Sequence, residues 1–276
     1  MALITLVSAA GSPGVTTTAL GLALTWPRPV LLVEADPTGG SGILAGYFRG
    51  LRDHPGLVDL VMADRSGLLA DTLPRILLRV DGTDVSILVG SKSHDQAPGL
   101  SRLWEPLMGL LLELSASGQD VVVDAGRLGL ASWPRPLVAH SDLTLLVSRS
   151  NLVSLVAARS WASTLADDVL PAHEVRLLLV GEGRRYSAGE ASRTLGVPML
   201  ASVDWDPARA SVFSEGAAKP RPRFGGESAA DRAFNHSGYM ASLRAAGEAI
   251  RKVTTPSKRD AVLQGMIATR TGRGIS

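Results

Sequence analysis

The chain has 276 residues, 45% of them hydrophobic, a formal net charge of +2 and no cysteine. Disulfides and thiolate metal sites are thereby excluded, and the nearly balanced charge gives no strong reason to expect a nucleic-acid or membrane partner. The first residues, MALITLVSAA, lack a basic leader and no uncharged run is long enough to span a bilayer, so a soluble cytoplasmic protein is expected.

The apolar run LITLVS at 3–8 reads as a strand and is followed by a helical pattern at 15–25. VLLVEAD at 30–36 and VSILVG at 85–90 read as further strands, with a helix at 100–117. Then come strands DVVVDAG at 120–126 and LTLLVS at 143–148, a helix at 151–166, the strand VRLLLVG at 175–181, a short helix at 187–195, the strand PMLASV at 198–203 and a helix at 228–252. Most of these strands are apolar on both faces. The expected fold is therefore α/β, a mostly parallel twisted sheet with helices on both faces. One domain over residues 1–252 accommodates the pattern, and residues 253–276 read as a basic, flexible tail. The segment GAAKPRPRFGGESAADR, rich in Pro and Gly, reads as a surface loop.

Between the first strand and the first helix lies SAAGSPGVTTTA. A helix starting near Val15 offers free backbone N–H groups and the positive end of its dipole to an anion. Set on the phosphate-loop pattern G-x-x-x-x-G-K-[ST], the segment supplies Ala9, Ala10, Gly11, Ser12, Pro13, Gly14, Val15 and Thr16. Its end, GVTTTA, fits in every place but the lysine.

Four segments in order, GSPGVTTTALGLAL, VLLVEADPTGGSG, DVVVDAG and LGVPMLASVDWDPARASVFSEGAAKP, resemble the ParA/MinD family of deviant P-loop ATPases, within the SIMIBI branch of P-loop NTPases, over residues 2–251. The family's pattern is K-G-G-x-G-K-T-T-T, then D-x-D-P after the second strand, a D-x-[GP]-like segment after a later strand, and G-x-P followed by a strand and a hydrophobic helix. The resemblance implies nucleotide binding by Gly11, Ser12, Pro13, Gly14, Val15, Thr16 and Thr17, and a magnesium site at Thr16, Asp36 and Asp124. It makes Asp36 the catalytic carboxylate that positions the attacking water if the chain hydrolyses, with Glu34 in the place of the other acid of that segment. On local chemistry alone, Thr16, Thr17, Asp36 and Asp124 serve equally well as helix caps and strand ends.

The chain departs from the family where charge is needed. The two lysines that the family places on phosphates are Ala10 and Val15 here, and Pro13 removes an N–H from the loop. A hydrogen bond to a charged group contributes about 1.5–3 kcal/mol, so each lost lysine weakens triphosphate binding by about one to two decades. Gly181 stands where the family has an adenine-reading asparagine, and Asp204 where it has a proline. Mg-ATP or Mg-ADP is accordingly expected to bind weakly. Arg127 and Arg149, at the carboxyl ends of strands, are the candidate substitute phosphate contacts, and both are equally at home as surface charges. Arg28 and Arg49 are read as surface residues.

The expectation is a pseudo-ATPase that acts in positioning, partitioning or regulation through protein contacts. It would do so as a homodimer, or as a heterodimer with an active ParA/MinD-like relative, carrying a protein cargo or answering to a protein regulator. One alternative is an active Mg-ATP-dependent ATPase for chromosome partitioning, septum placement or organelle positioning, with an arginine in place of the lysine. Another is an adaptor that binds DNA without sequence preference through KPRPRF and the basic tail. Membrane association through AVLQGMIA at 261–268 is not expected, because the segment lacks a basic face. His54, His94, His140, His173 and His236 show no ligand spacing.

Overall fold

The computed structural model describes residues 1–10, 13–50, 54–169, 173–222 and 226–255. The expectations for Gly11, Ser12, the end of KPRPRF and the tail beyond residue 255 fall outside them.

Eight strands among the described residues form one sheet: β1 (Leu3–Ser8), β2 (Val30–Glu34), β3 (Leu78–Arg79), β4 (Val85–Leu88), β5 (Asp120–Arg127), β6 (Leu143–Arg149), β7 (Glu174–Val180) and β8 (Met199–Val203). Their order is β3-β4-β2-β5-β1-β6-β7-β8, and every pairing is parallel except that of β3 with β4. The helices are α1 (Val15–Leu24), α2 (Gly42–Ala45), α3 (Leu57–Arg65), α4 (Leu69–Thr72), α5 (Ala97–Leu100), α6 (Trp104–Ala116), α7 (Arg135–Ala139), α8 (Leu152–Asp168), α9 (Ala188–Leu195), α10 (Pro207–Ser214), α11 (Glu227–Asn235) and α12 (Gly238–Thr254). None of the described helices is long and apolar enough to cross a membrane.

Successive side chains of a strand point to opposite faces, and strands apolar throughout feed two cores. Leu3, Val7, Leu31, Val33 and Val121 join one apolar layer with residues of α3, α6, α8 and α9. Ile4, Leu6, Leu32, Val122 and Leu145 join the other with residues of α1, α10 and α12. In this second layer Gly21 of α1 lets Leu243 of α12 approach so closely that a β-carbon would stand 2.8 Å from its Cδ1.

The expected strands all form, within a few residues of their predicted ends. The single helix expected at 228–252 is instead two, because Ser237 interrupts it: its hydroxyl donates to the Phe234 carbonyl (2.6 Å) and accepts from the Met240 N–H (3.3 Å), capping α12. Helices α2, α3, α4 and α7 were not anticipated, whereas α10 stands where the pattern above puts a hydrophobic helix, capped by Asp206 before Pro207. Arg28 is more than a surface residue. It pairs with the buried Asp120 at the start of β5, whose carboxylate also accepts from Trp26 Nε1 (2.7 Å) and the Ala2 N–H (2.9 Å).

Strand β5 lies between β2 and β1, and β6 lies on the other flank of β1. The connections leaving these strands part around β1, and a crevice opens at the carboxyl ends of β1, β5 and β6.

Candidate functional site

The loop after β1 reaches α1 through Gly14, whose φ of +99° is a left-handed conformation that glycine adopts without steric cost. Among the described residues no side chain caps α1, and its first turn holds no acidic residue. Its first N–H groups are therefore left to whatever fills the adjoining cleft. That cleft has a volume of about 690 Å³ and runs from Pro13–Thr18, Asp36, Gly126 and Arg127 at one end to Arg149 and Val203–Pro207 at the other. Val15, at the place of the pattern's lysine, is only 6% exposed and is packed in the apolar layer that α1 shares with α12. Pro13 is buried beside it.

The acidic side is built by strand register. Glu34 of β2 is paired with Asp124 of β5, and the Ala35 N–H donates to the Asp124 carbonyl (2.8 Å). Gly126 bonds one acid and makes room for another: its N–H donates to Asp124 Oδ1 (3.0 Å), and a β-carbon on it would overlap the Asp36 carboxylate. Burial pushes the Asp124 carboxyl up to about 7; the Thr16 hydroxyl and the Gly126 N–H oppose the rise, and the charges of Asp36 and Glu34 add to it. Among the described residues Asp124 Oδ2 has no hydrogen-bond partner. Burial also raises the Glu34 carboxyl, against hydrogen bonds from Ser41 and from the N–H groups of Gly90 and Ile43. Asp36 accepts from the N–H (2.9 Å) and hydroxyl (2.8 Å) of Thr38, which fixes its turn.

Among the described residues no three His, Asp or Glu side chains group as a metal cage. The hydroxyl of Thr16 with the carboxylates of Asp124 and Asp36 is a sparser, all-oxygen set. It suits Mg²⁺, which binds through one or two carboxylates and fills its other positions with water and phosphate. The unpartnered buried Oδ2 of Asp124 is the atom that a cation would satisfy.

At the far end Gly181 has a φ of +74°, and a β-carbon there would stand 3.1 Å from both Trp205 Cβ and Arg184 Cδ. Trp205, 38% exposed, carries the Arg149 guanidinium at 4.9 Å from its ring centre and that of Arg184 at 4.5 Å. Arg149 is thus turned to Trp205, while Arg127, paired in register with Ser8 of β1 and exposed, borders the loop itself. Trp205 and Arg184 went unremarked in the sequence. Their signal is their place just after β8 and β7, at the sheet edge where ligands of open α/β folds sit.

No protein-family model matches the sequence, and no curated protein matches it. Solved structures do match the fold. The septum site-determining protein MinD from Pyrococcus horikoshii, complexed with Mg-ADP, aligns with a TM-score of 0.68 and 18% identity over 92% of this chain and 98% of that one. A ParA family ATPase from Chlorobium tepidum aligns with a TM-score of 0.69 and 14% identity over 90% and 99%. Cobyrinic acid a,c-diamide synthase from Mycobacterium smegmatis, with bound ADP and magnesium, aligns with a TM-score of 0.60 and 16% identity over 94% and 98%. The chain has the α/β P-loop NTPase fold of MinD and ParA ATPases. The diamide synthase carries a different chemistry on the same fold, so function must be argued from the site.

Proposed function

We propose that this chain is a ParA/MinD-like protein whose nucleotide site keeps its metal side and has lost its phosphate-gripping cations, and that it works in partitioning, positioning or regulation through protein contacts rather than rapid ATP turnover. The observation that carries this reading is Val15, a core residue at the place where the fold's phosphate loop needs a lysine. Ala10 leaves the second lysine place without charge as well.

In this reading Gly14, Val15, Thr16 and Thr17 offer backbone N–H groups to phosphate, with Gly11, Ser12 and Pro13 completing the loop. Thr16, Asp124 and Asp36 hold Mg²⁺, which when bound neutralises part of the phosphate charge. Asp36 would orient the attacking water. The neighbours complexed with Mg-ADP, or with ADP and magnesium, support a Mg-nucleotide as the ligand, held weakly here. A MinD from Aquifex aeolicus is solved as a complex with MinC, which supports protein contacts, as a dimer or with a partner, as the output.

A second reading, a working ATPase, is favoured by Arg127, whose register beside Ser8 puts an exposed guanidinium at the rim of the loop. Melting curves with and without millimolar Mg-nucleotide, combined with a phosphate-release assay, test both. A ligand at 100 times its dissociation constant adds about 2.7 kcal/mol of stability. The pseudo-enzyme reading expects a smaller shift and no phosphate release. Release that Mg²⁺ supports and Arg127→Ala abolishes would replace it with the active ATPase.

A further inference from the structure

We infer that the base end of the cleft is built for guanine rather than adenine; the inference rests on the nucleotide reading above and names the ligand class of that same site. Three strand ends meet there. Arg149 ends β6, Arg184 follows β7, and Trp205 with Asp204 follows β8. Gly181 offers no side chain, and the space an amide would need is taken by Trp205 and Arg184, each 3.1 Å from where a β-carbon would sit.

The amide matters because of what it reads. The side-chain amide of asparagine, a donor and an acceptor side by side, matches the N6 and N7 of adenine, whereas the guanidinium fork matches the two acceptors O6 and N7 of guanine. Here no amide stands at that place, and two guanidinium groups are held against one indole, at 4.9 Å and 4.5 Å from its ring centre. Stacking occupies the face of a guanidinium and leaves its N–H edge available. Neither arginine has an ion-pair partner among the described residues, and the buried Nε of Arg149 has no hydrogen-bond partner.

The complementary acceptor is also present. Asp204 lines both the main cleft and the adjoining hollow that contains Gly181 and Arg184. Its carboxylate is exposed and makes no ion pair among the described residues, whereas that of Asp206 is committed to Arg209 (2.5 Å). A carboxylate accepts from the N1–H and N2–H₂ of guanine; adenine has an acceptor at N1 and no amino group at C2. Arg149 in the main cleft and Arg184 in the adjoining hollow supply donor forks, and Asp204, which lines both, supplies the acceptor: that set complements the two edges of guanine. With adenine they leave donor facing donor and acceptor facing acceptor.

The test measures binding to the full chain by calorimetry and by melting shift with Mg-GDP, Mg-GTP, Mg-ADP and Mg-ATP. The guanine nucleotides should bind at least about tenfold tighter than the adenine ones, since a site built for particular hydrogen bonds discriminates at least that strongly. Arg184→Ala and Asp204→Asn, both at exposed positions, should each narrow that ratio. Equal affinity or an adenine preference overturns the inference and leaves the nucleotide reading standing. A guanine preference that neither variant changes overturns the assignment to these residues. Binding of none of the four overturns the nucleotide reading, and the inference with it.

Discussion

The carboxylate of Asp36 lies against the α-carbon of Gly126, in space that any side chain at 126 would fill. Two strand ends that are remote in sequence are thus fitted to one another, and the fit brings Asp36 beside Asp124, whose Oδ1 the same glycine bonds. Gly126 also has a φ of +64°, so a substitution there is strained in its backbone as well as crowded. Gly126→Ala is expected to cost about 1–2 kcal/mol of stability and to abolish any Mg-nucleotide melting shift, because Asp36 must move. Parallel melting curves with and without ligand read both effects.

Asp124 makes stability depend on pH with a definite sign. Its carboxyl is raised from 3.8 to about 7 in the folded chain, so the folded state keeps a proton that the unfolded state gives up between those values. The stability it contributes is full below the unfolded value and is lost as pH rises through about 7. Asp124→Asn removes this loss. The variant should melt above the parent chain by a margin that widens between about pH 4 and about pH 7 and levels off above that. At the higher pH it should also show no Mg²⁺-dependent gain with nucleotide, whereas the parent does.

Val15→Lys restores the absent charge at a position packed in the core. Without ligand it is expected to lower stability by about 1–3 kcal/mol, the cost of a poorly solvated polar group. With ligand it should tighten triphosphate binding by about one to two decades. Calorimetry and melting on the same preparations separate the two effects, and unchanged affinity would show that the residue at position 15 does not set triphosphate affinity.

Arg28→Ala leaves the Asp120 carboxylate, whose side chain is 0% exposed, with only Trp26 and Ala2 as donors. A loss of about 1–3 kcal/mol is expected in urea unfolding. Arg28→Lys should recover part of it, since an ammonium cannot reproduce the two-point contact that Nε and Nη2 make.

Much of the fold was legible. Runs such as LITLVS and DVVVDAG are apolar at every step, which makes them buried strands wherever they pack, and β1 and β5 formed as expected. The small strand β3 escaped because two residues carry no pattern. The break at Ser237 was missed because the helical period resumes right after it.

The site divides in the same way. Thr16, Asp36 and Asp124 could be named as candidates from motifs because each stands in or beside a strand or helix start that local sequence marks. The absence of lysine at positions 10 and 15 was likewise plain, since composition alone states it. Tertiary structure alone decided that Val15 belongs to the core, that Arg28 holds Asp120, and that Arg149 and Arg184 meet on Trp205. The reason is geometric. Hydrophobic period and turn chemistry act over a few residues and determine which segments become strands and helices, whereas encounters between the ends of β6, β7 and β8 depend on the order of strands in the sheet, which no local pattern encodes.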